Sequence, residues 1–132
     1  MKEAYVSFEV AKLLKEKGFS IPSDTSYEDF LWQMYDKNGK VHWVVYNGDW
    51  CFRITQQMAC RWLREEHNIF VTVQPCEIGA GVDDYTYVIY EIQPEDYHFK
   101  FIAQGRIQPI AYTMDYEGTL EEGIKQVLTN LI

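Results

Sequence analysis

The sequence predicts an α+β protein, with a mainly antiparallel sheet of four or five strands and three helices in the order α-β-β-α-β-β-(β)-α. Three observations carry that expectation. Three segments place apolar residues at helical spacing, others alternate with a period of two, and hairpin-length connections join the strand candidates. The helices need an apolar surface to bury against, and a sheet supplies it. With 132 residues, 47% hydrophobic and 24% charged, the chain is expected to form a single domain, 1–132.

The first helix is read from "VSFEVAKLLKEKGF". Ser7 is its N-cap, Val10, Leu13, Leu14 and Lys17 follow helical spacing, and Gly18 ends it with Phe19 folding back. After the polar loop "SIPSDTSYED", the segment "FLWQMYDKNGKVHWVVY" reads as a hairpin. Phe30, Trp32 and Met34 alternate on one strand, and Val41, Trp43 and Val45 on the other. Asn38-Gly39 supplies the positive φ of the turn. Phe30, Trp32 and Trp43 are expected in the core. "NGDW" is a second turn, leading to Thr55 as the N-cap of a helix that runs to His67 and stops at Asn68. Its apolar face is Met58, Ala59, Trp62 and Leu63, and Gln56 and Gln57 are expected to be exposed.

"IFVTVQ" alternates Ile69, Val71 and Val73 as a strand, and "EIGAGVDD" reads as a loop. "YTYVIYEI" is rich in strand-forming residues. "YHFKFIA" alternates Phe99, Phe101 and Ala103. "RIQPIAYT" stays open between edge strand and extended loop because of Pro109. Thr119 and Glu122 form the pattern of a capping box for a last helix, with Leu120, Ile124, Val127, Leu128 and Leu131 as its stripe.

Composition excludes several functions. The formal net charge is -8, from 20 acids and 12 bases, which speaks against a duplex-binding domain. From Cys76 to Tyr97 there are six acids and no Lys or Arg, so this segment is either a solvated edge or a surface for a basic partner. No apolar leader opens the chain and no apolar run approaches a membrane span. The cysteines, Cys51, Cys60 and Cys76, are three and scattered, which suits reduced thiols and the cytoplasm.

"TQQMACRWLREEHNI" comes nearest to a motif. Paired glutamines at a helix start can read adenine, but strand and turn material precedes them where a helix-turn-helix needs a helix. Cys60 and His67 lack zinc-ligand spacing, so a buried thiol and a helix-terminal His are expected, with no metal. No phosphate-binding loop, nucleophile elbow or cysteine-histidine signature occurs, so neither a cofactor nor a catalytic constellation is expected. Tyr46 and Trp50 flank a turn and carry amphipathic rings. Together with Arg61 and Arg64 they are the candidate interaction surface.

The stretches "TQQMACRWLREEHNI", "SFEVAKLLKEKGF" and "GTLEEGIKQVLTNLI" resemble small uncharacterised proteins encoded by bacteroidal prophages and other mobile elements. The layout is more distantly similar to phage αβα-sandwich domains. The resemblance covers the three helices and leaves Ile78 to Thr113 unmatched. It implies a cytoplasmic accessory protein of phage or mobile-element origin and supplies no catalytic residue. The expected function is a non-enzymatic, protein-binding factor that could self-associate. Two alternatives stay open: an acidic mimic of nucleic acid, and a small enzyme with a site assembled from dispersed residues.

Overall fold

Ser7 and Thr55 set where the first two helices begin. Each holds an extended backbone, and its hydroxyl accepts the N–H three residues on, Val10 and Met58 respectively, both at 3.2 Å. The computed structural model describes residues 4–20, 33–43, 49–77, 83–93, 95, 98–105 and 116–132. Its elements are α1 (Phe8–Glu16), β1 (Gln33–Tyr35), β2 (Val41–Trp43), β3 (Cys51–Phe52), α2 (Gln56–His67), β4 (Ile69–Glu77), β5 (Asp83–Gln93), β6 (His98–Gly105) and α3 (Tyr116–Asn130).

The α+β class is as the sequence predicts, but the strands differ in number and order. Among the described residues six strands form two three-stranded antiparallel sheets, β2-β1-β3 and β4-β5-β6. The addition is β3, which pairs Phe52 with Met34 and Cys51 with Tyr35. Two residues are too few to show alternation, so nothing in the sequence marks them as a strand. Helix α2 stands between the two sets of strands in the chain.

α1 ends as read. The N–H groups of Gly18 and Phe19 donate to the carbonyls of Lys15 (3.1 Å) and Leu14 (2.9 Å), which closes a Schellman motif. Phe19 then turns back onto Trp62, with ring centroids 5.5 Å apart. α2 stops at Asn68, whose φ of 55° and ψ of 36° are left-handed. In the first hairpin Gly39 alone supplies the positive φ, at +83°.

The core lies between the helices and the inner face of the second sheet. Ile69, Val71, Val73 and Ile89 meet Leu120, Ile124, Val127 and Leu128 of α3 and Ala59, Trp62 and Leu63 of α2, all buried. α3 crosses β4 and β5 closely at Gly123. A Cβ there would stand 2.9 Å from Val71 Cγ1 and 3.0 Å from Tyr87 Cβ. No helix among the described residues is long and apolar enough to cross a membrane.

Several local expectations are corrected. Trp43 is 62% exposed, not in the core. It lies on the edge strand β2, and α1 packs on β3 at the far edge of that sheet. Phe30, Trp32 and Val45 lie outside the described residues. Gln56 is 5% exposed, because its side-chain amide donates to Glu117 O (2.8 Å) and Glu121 Oε2 (3.2 Å). The other Glu121 oxygen accepts the Ser7 N–H at 2.8 Å, so one carboxylate ties the starts of α1 and α2 to α3. Thr119 is not an N-cap. α3 begins three residues earlier at Tyr116, whose ring packs edge-on against Tyr85, and Thr119 is buried within it. Leu131 falls beyond the helix and is exposed. Asp83 and Asp84 open β5 and do not sit in a loop. Phe99, Phe101 and Ala103 do not share a face either. A bulge between the Ile89–Ala103 and Tyr90–Phe101 pairs leaves Ile102 extra, so the phenylalanines face outward and Ala103 packs on the core.

Candidate functional site

The described residues enclose a cleft of about 820 Å³ where the first sheet meets α2, β4 and the start of α3. Tyr5, Gln33 and Trp43 come from the N-terminal segment and the first sheet. Gln57, Arg61 and Arg64 come from α2, Phe70 and Thr72 from β4, and Tyr116 from α3. Helical geometry explains the α2 contribution. Positions 57, 61 and 64 are four and three residues apart, so they form one stripe on the face opposite the buried Ala59, Trp62 and Leu63. Arg53 enters from the short link between β3 and α2. An antiparallel bridge of Tyr5 to Thr55, with Val6 N donating to Ile54 O at 2.9 Å, fixes that link.

Charge separates this cleft from the rest of the chain. The sequence has four arginines, and Arg53, Arg61 and Arg64 all line it. No Lys, Asp or Glu is among the described lining residues, in a chain with 20 acids. The three guanidiniums differ in how they are held. Arg61 Nε donates to Glu65 Oε1 at 2.9 Å. Arg53 lies over the Tyr5 ring, 4.0 Å from its centroid, and donates from Nη1 to Gln33 Oε1. Its Nε is buried and has no acceptor among the described residues. Arg64 forms no ion pair among the described residues, and its charge acts on the neighbouring Cys60.

Cys60 also lines the cleft, but burial pushes its thiol up to about 11, with Arg64 opposing the shift. A thiol in that range stays protonated near neutral pH and is a poor nucleophile and metal ligand. His67 is elsewhere, edge-on to Trp62 at 4.7 Å. Among the described residues no group of three or more His, Cys, Asp or Glu side chains is placed to hold a metal ion.

The outer face of the second sheet carries a row of aromatic rings. Phe70, Tyr90 and Phe101 stand opposite one another across β4, β5 and β6. Phe99 completes the group, 5.7 Å from Phe70 and 6.0 Å from Tyr90 between centroids. Phe99 and Phe101 are 59% and 55% exposed. Phe70 belongs to both the row and the cleft wall.

Of the four residues expected at an interaction surface, Arg61 and Arg64 line the cleft. Trp50 does not join them. It borders a small recess with Ala11, Leu14, Lys15, Phe19 and Phe52, and stacks on His42 at 4.8 Å. Tyr46 lies outside the described residues. Sequence reasoning missed Arg53, Tyr5, Trp43 and Phe70, which come from separate elements. One signal was available: three of four arginines fall between positions 53 and 64. Comparison of the chain with protein-family models, curated proteins and solved structures finds no match.

Proposed function

We propose that this protein is a non-enzymatic, protein-binding accessory factor whose contact surface is the aromatic outer face of β4-β5-β6. The observation that carries the reading is the row of Phe70, Tyr90, Phe99 and Phe101, with its two phenylalanines more than half exposed. Clustered exposed aromatics at an open sheet face are the chemistry of a protein contact, either with a partner or with a second copy. The protonated Cys60 thiol weighs against nucleophilic catalysis. The mimic of nucleic acid has less support. Strand register puts Glu77 opposite Asp83 at one end of the β4–β5 hairpin and Glu91 at the other, with Tyr85 to Tyr90 between.

Duplex binding forms no part of the proposal, since Gln56 is committed to α3 and Arg61 to Glu65. The resemblance of the helices to mobile-element proteins supports a cytoplasmic role of that origin. The test compares the wild type with a Phe99→Asp, Phe101→Asp variant in sedimentation velocity and in affinity capture from a bacteroidal lysate. The variant should lose the captured partner or dissociate a wild-type oligomer. Identical capture and mass in both proteins would refute this surface.

A further inference from the structure

We propose that the arginine-lined cleft binds a small organic anion, a phosphate or carboxylate carried on a planar ring. This stands apart from the protein-binding reading and needs no partner protein. The sign of the ligand follows from the lining, which holds three of the four arginines and no described acid; Arg61 is paired with Glu65, which leaves Arg53 and Arg64 without an ion pair among the described residues. Its head group follows from the residue type. A guanidinium offers paired N–H donors in a plane, which match a carboxylate or phosphate, and the chain places no lysine among these residues. Its body follows from the walls. Trp43 and Tyr116 are 62% and 46% exposed and, with Phe70, line the cleft, so planar aromatic surface is available to a ring. Its size follows from the volume, about 820 Å³, within the range of small-molecule sites.

Arg53 is the most informative residue. Tyr5 below its guanidinium and Gln33 at its Nη1 hold it in one orientation, so little side-chain freedom remains to be lost on binding. Its Nε is a buried donor with no acceptor among the described residues, and folded proteins rarely leave such a group unmade. That Nε is closed to solvent, so an anion in the cleft would meet the terminal nitrogens of this guanidinium and not Nε. Arg64, on α2 in the same lining, supplies the second cation.

The test is a titration of the full chain by calorimetry and NMR with four probes: adenosine 5′-monophosphate, indole-3-acetate, adenosine and inorganic phosphate. At least one of the two ring-bearing anions should saturate, more tightly than either adenosine or phosphate alone. Preference for the first identifies a phosphate head and for the second a carboxylate. Arg64→Gln should weaken binding about ten- to a hundredfold, the range of a charge-assisted hydrogen bond. Arg53→Gln should do the same. If that variant fails to fold, Arg64→Gln, on the outer stripe of α2, still decides. Phe99→Asp, Phe101→Asp should leave this binding intact, which separates the cleft from the aromatic row. The proposal falls if neither ring-bearing anion saturates below about 10 mM, if adenosine or phosphate binds equally well, or if Arg64→Gln binds like the wild type.

Discussion

In one sheet β4, β5 and β6 run for 9, 11 and 8 residues, while in the other β1, β2 and β3 run for 3, 3 and 2. Both are antiparallel, with β1 central in one and β5 in the other, yet they are held differently. The long sheet has an extended backbone ladder and an aliphatic face sealed by α2 and α3. The short sheet reaches the same core through Tyr35 and Cys51 and is further tied by side-chain hydrogen bonds. Tyr35 donates its hydroxyl proton to Val6 O at 2.6 Å, Asp36 pairs with His42 at 2.7 Å, and Arg53 bonds Gln33. The cleft lies at the seam between them. The difference teaches a division of labour: the larger sealed layer lies against the long sheet, and the lightly built sheet positions polar groups at the cleft.

The largest effect should come from emptying the sealed layer. Trp62 is 4% exposed and packed between Phe19 and His67. Trp62→Ala should cost about 3–5 kcal/mol in urea denaturation. A loss under about 1 kcal/mol, the size of an ordinary surface substitution, would break the comparison, because the helical layer would then not be the source of stability.

A smaller loss is expected from overfilling the same layer. Gly123→Ala gains up to about 1 kcal/mol of helix propensity. The new methyl would also press on Val71 and on Tyr87 Cβ, an atom that moves only with its backbone. Overpacking of that kind costs about 1–3 kcal/mol, so the net change should be a loss of roughly 1 kcal/mol. A stabilised Gly123→Ala protein would show that α3 can lift from the sheet and that the layer is looser than its contacts suggest.

The same contrast explains what the sequence revealed. The helices and the long strands were legible because each repeats its period several times, as Ile69, Val71 and Val73 do, and because Ser7, Thr55, Gly18 and Asn68 mark ends by local chemistry. The short sheet was not, since Cys51 and Phe52 show no period and Trp43 is placed by being on an edge. Gln56 was misread because its partners, Glu117 and Glu121, are more than sixty residues away. The cleft was half legible. The stripe of Arg61 and Arg64 follows from helical spacing, whereas Arg53, Tyr5 and Phe70 join it only through strand pairing and the bridge to Thr55.

The smallest effect should be confined to the short sheet and appear only in acid. The Asp36 carboxyl is held below its usual range, first by the hydrogen bond to His42 and then by the N–H groups of Lys40 and Asn38. A carboxyl with a lower pKa in the folded state stabilises that state fully above its unfolded value, near 4, and loses the contribution as pH falls through the folded value. Acidification below about pH 4 should therefore loosen the β1–β2 turn while the β4-β5-β6 ladder persists. Amide hydrogen exchange of Lys40 and Asn38 reads the first, and that of Thr72 and Val88, a hydrogen-bonded pair of the β4–β5 ladder, reads the second. Asp36→Asn should show the loosened turn already at neutral pH and little further change below it. Loss of protection at all four amides at one pH would mean that the two sheets open as a single unit, and the division of labour drawn from their construction would not hold.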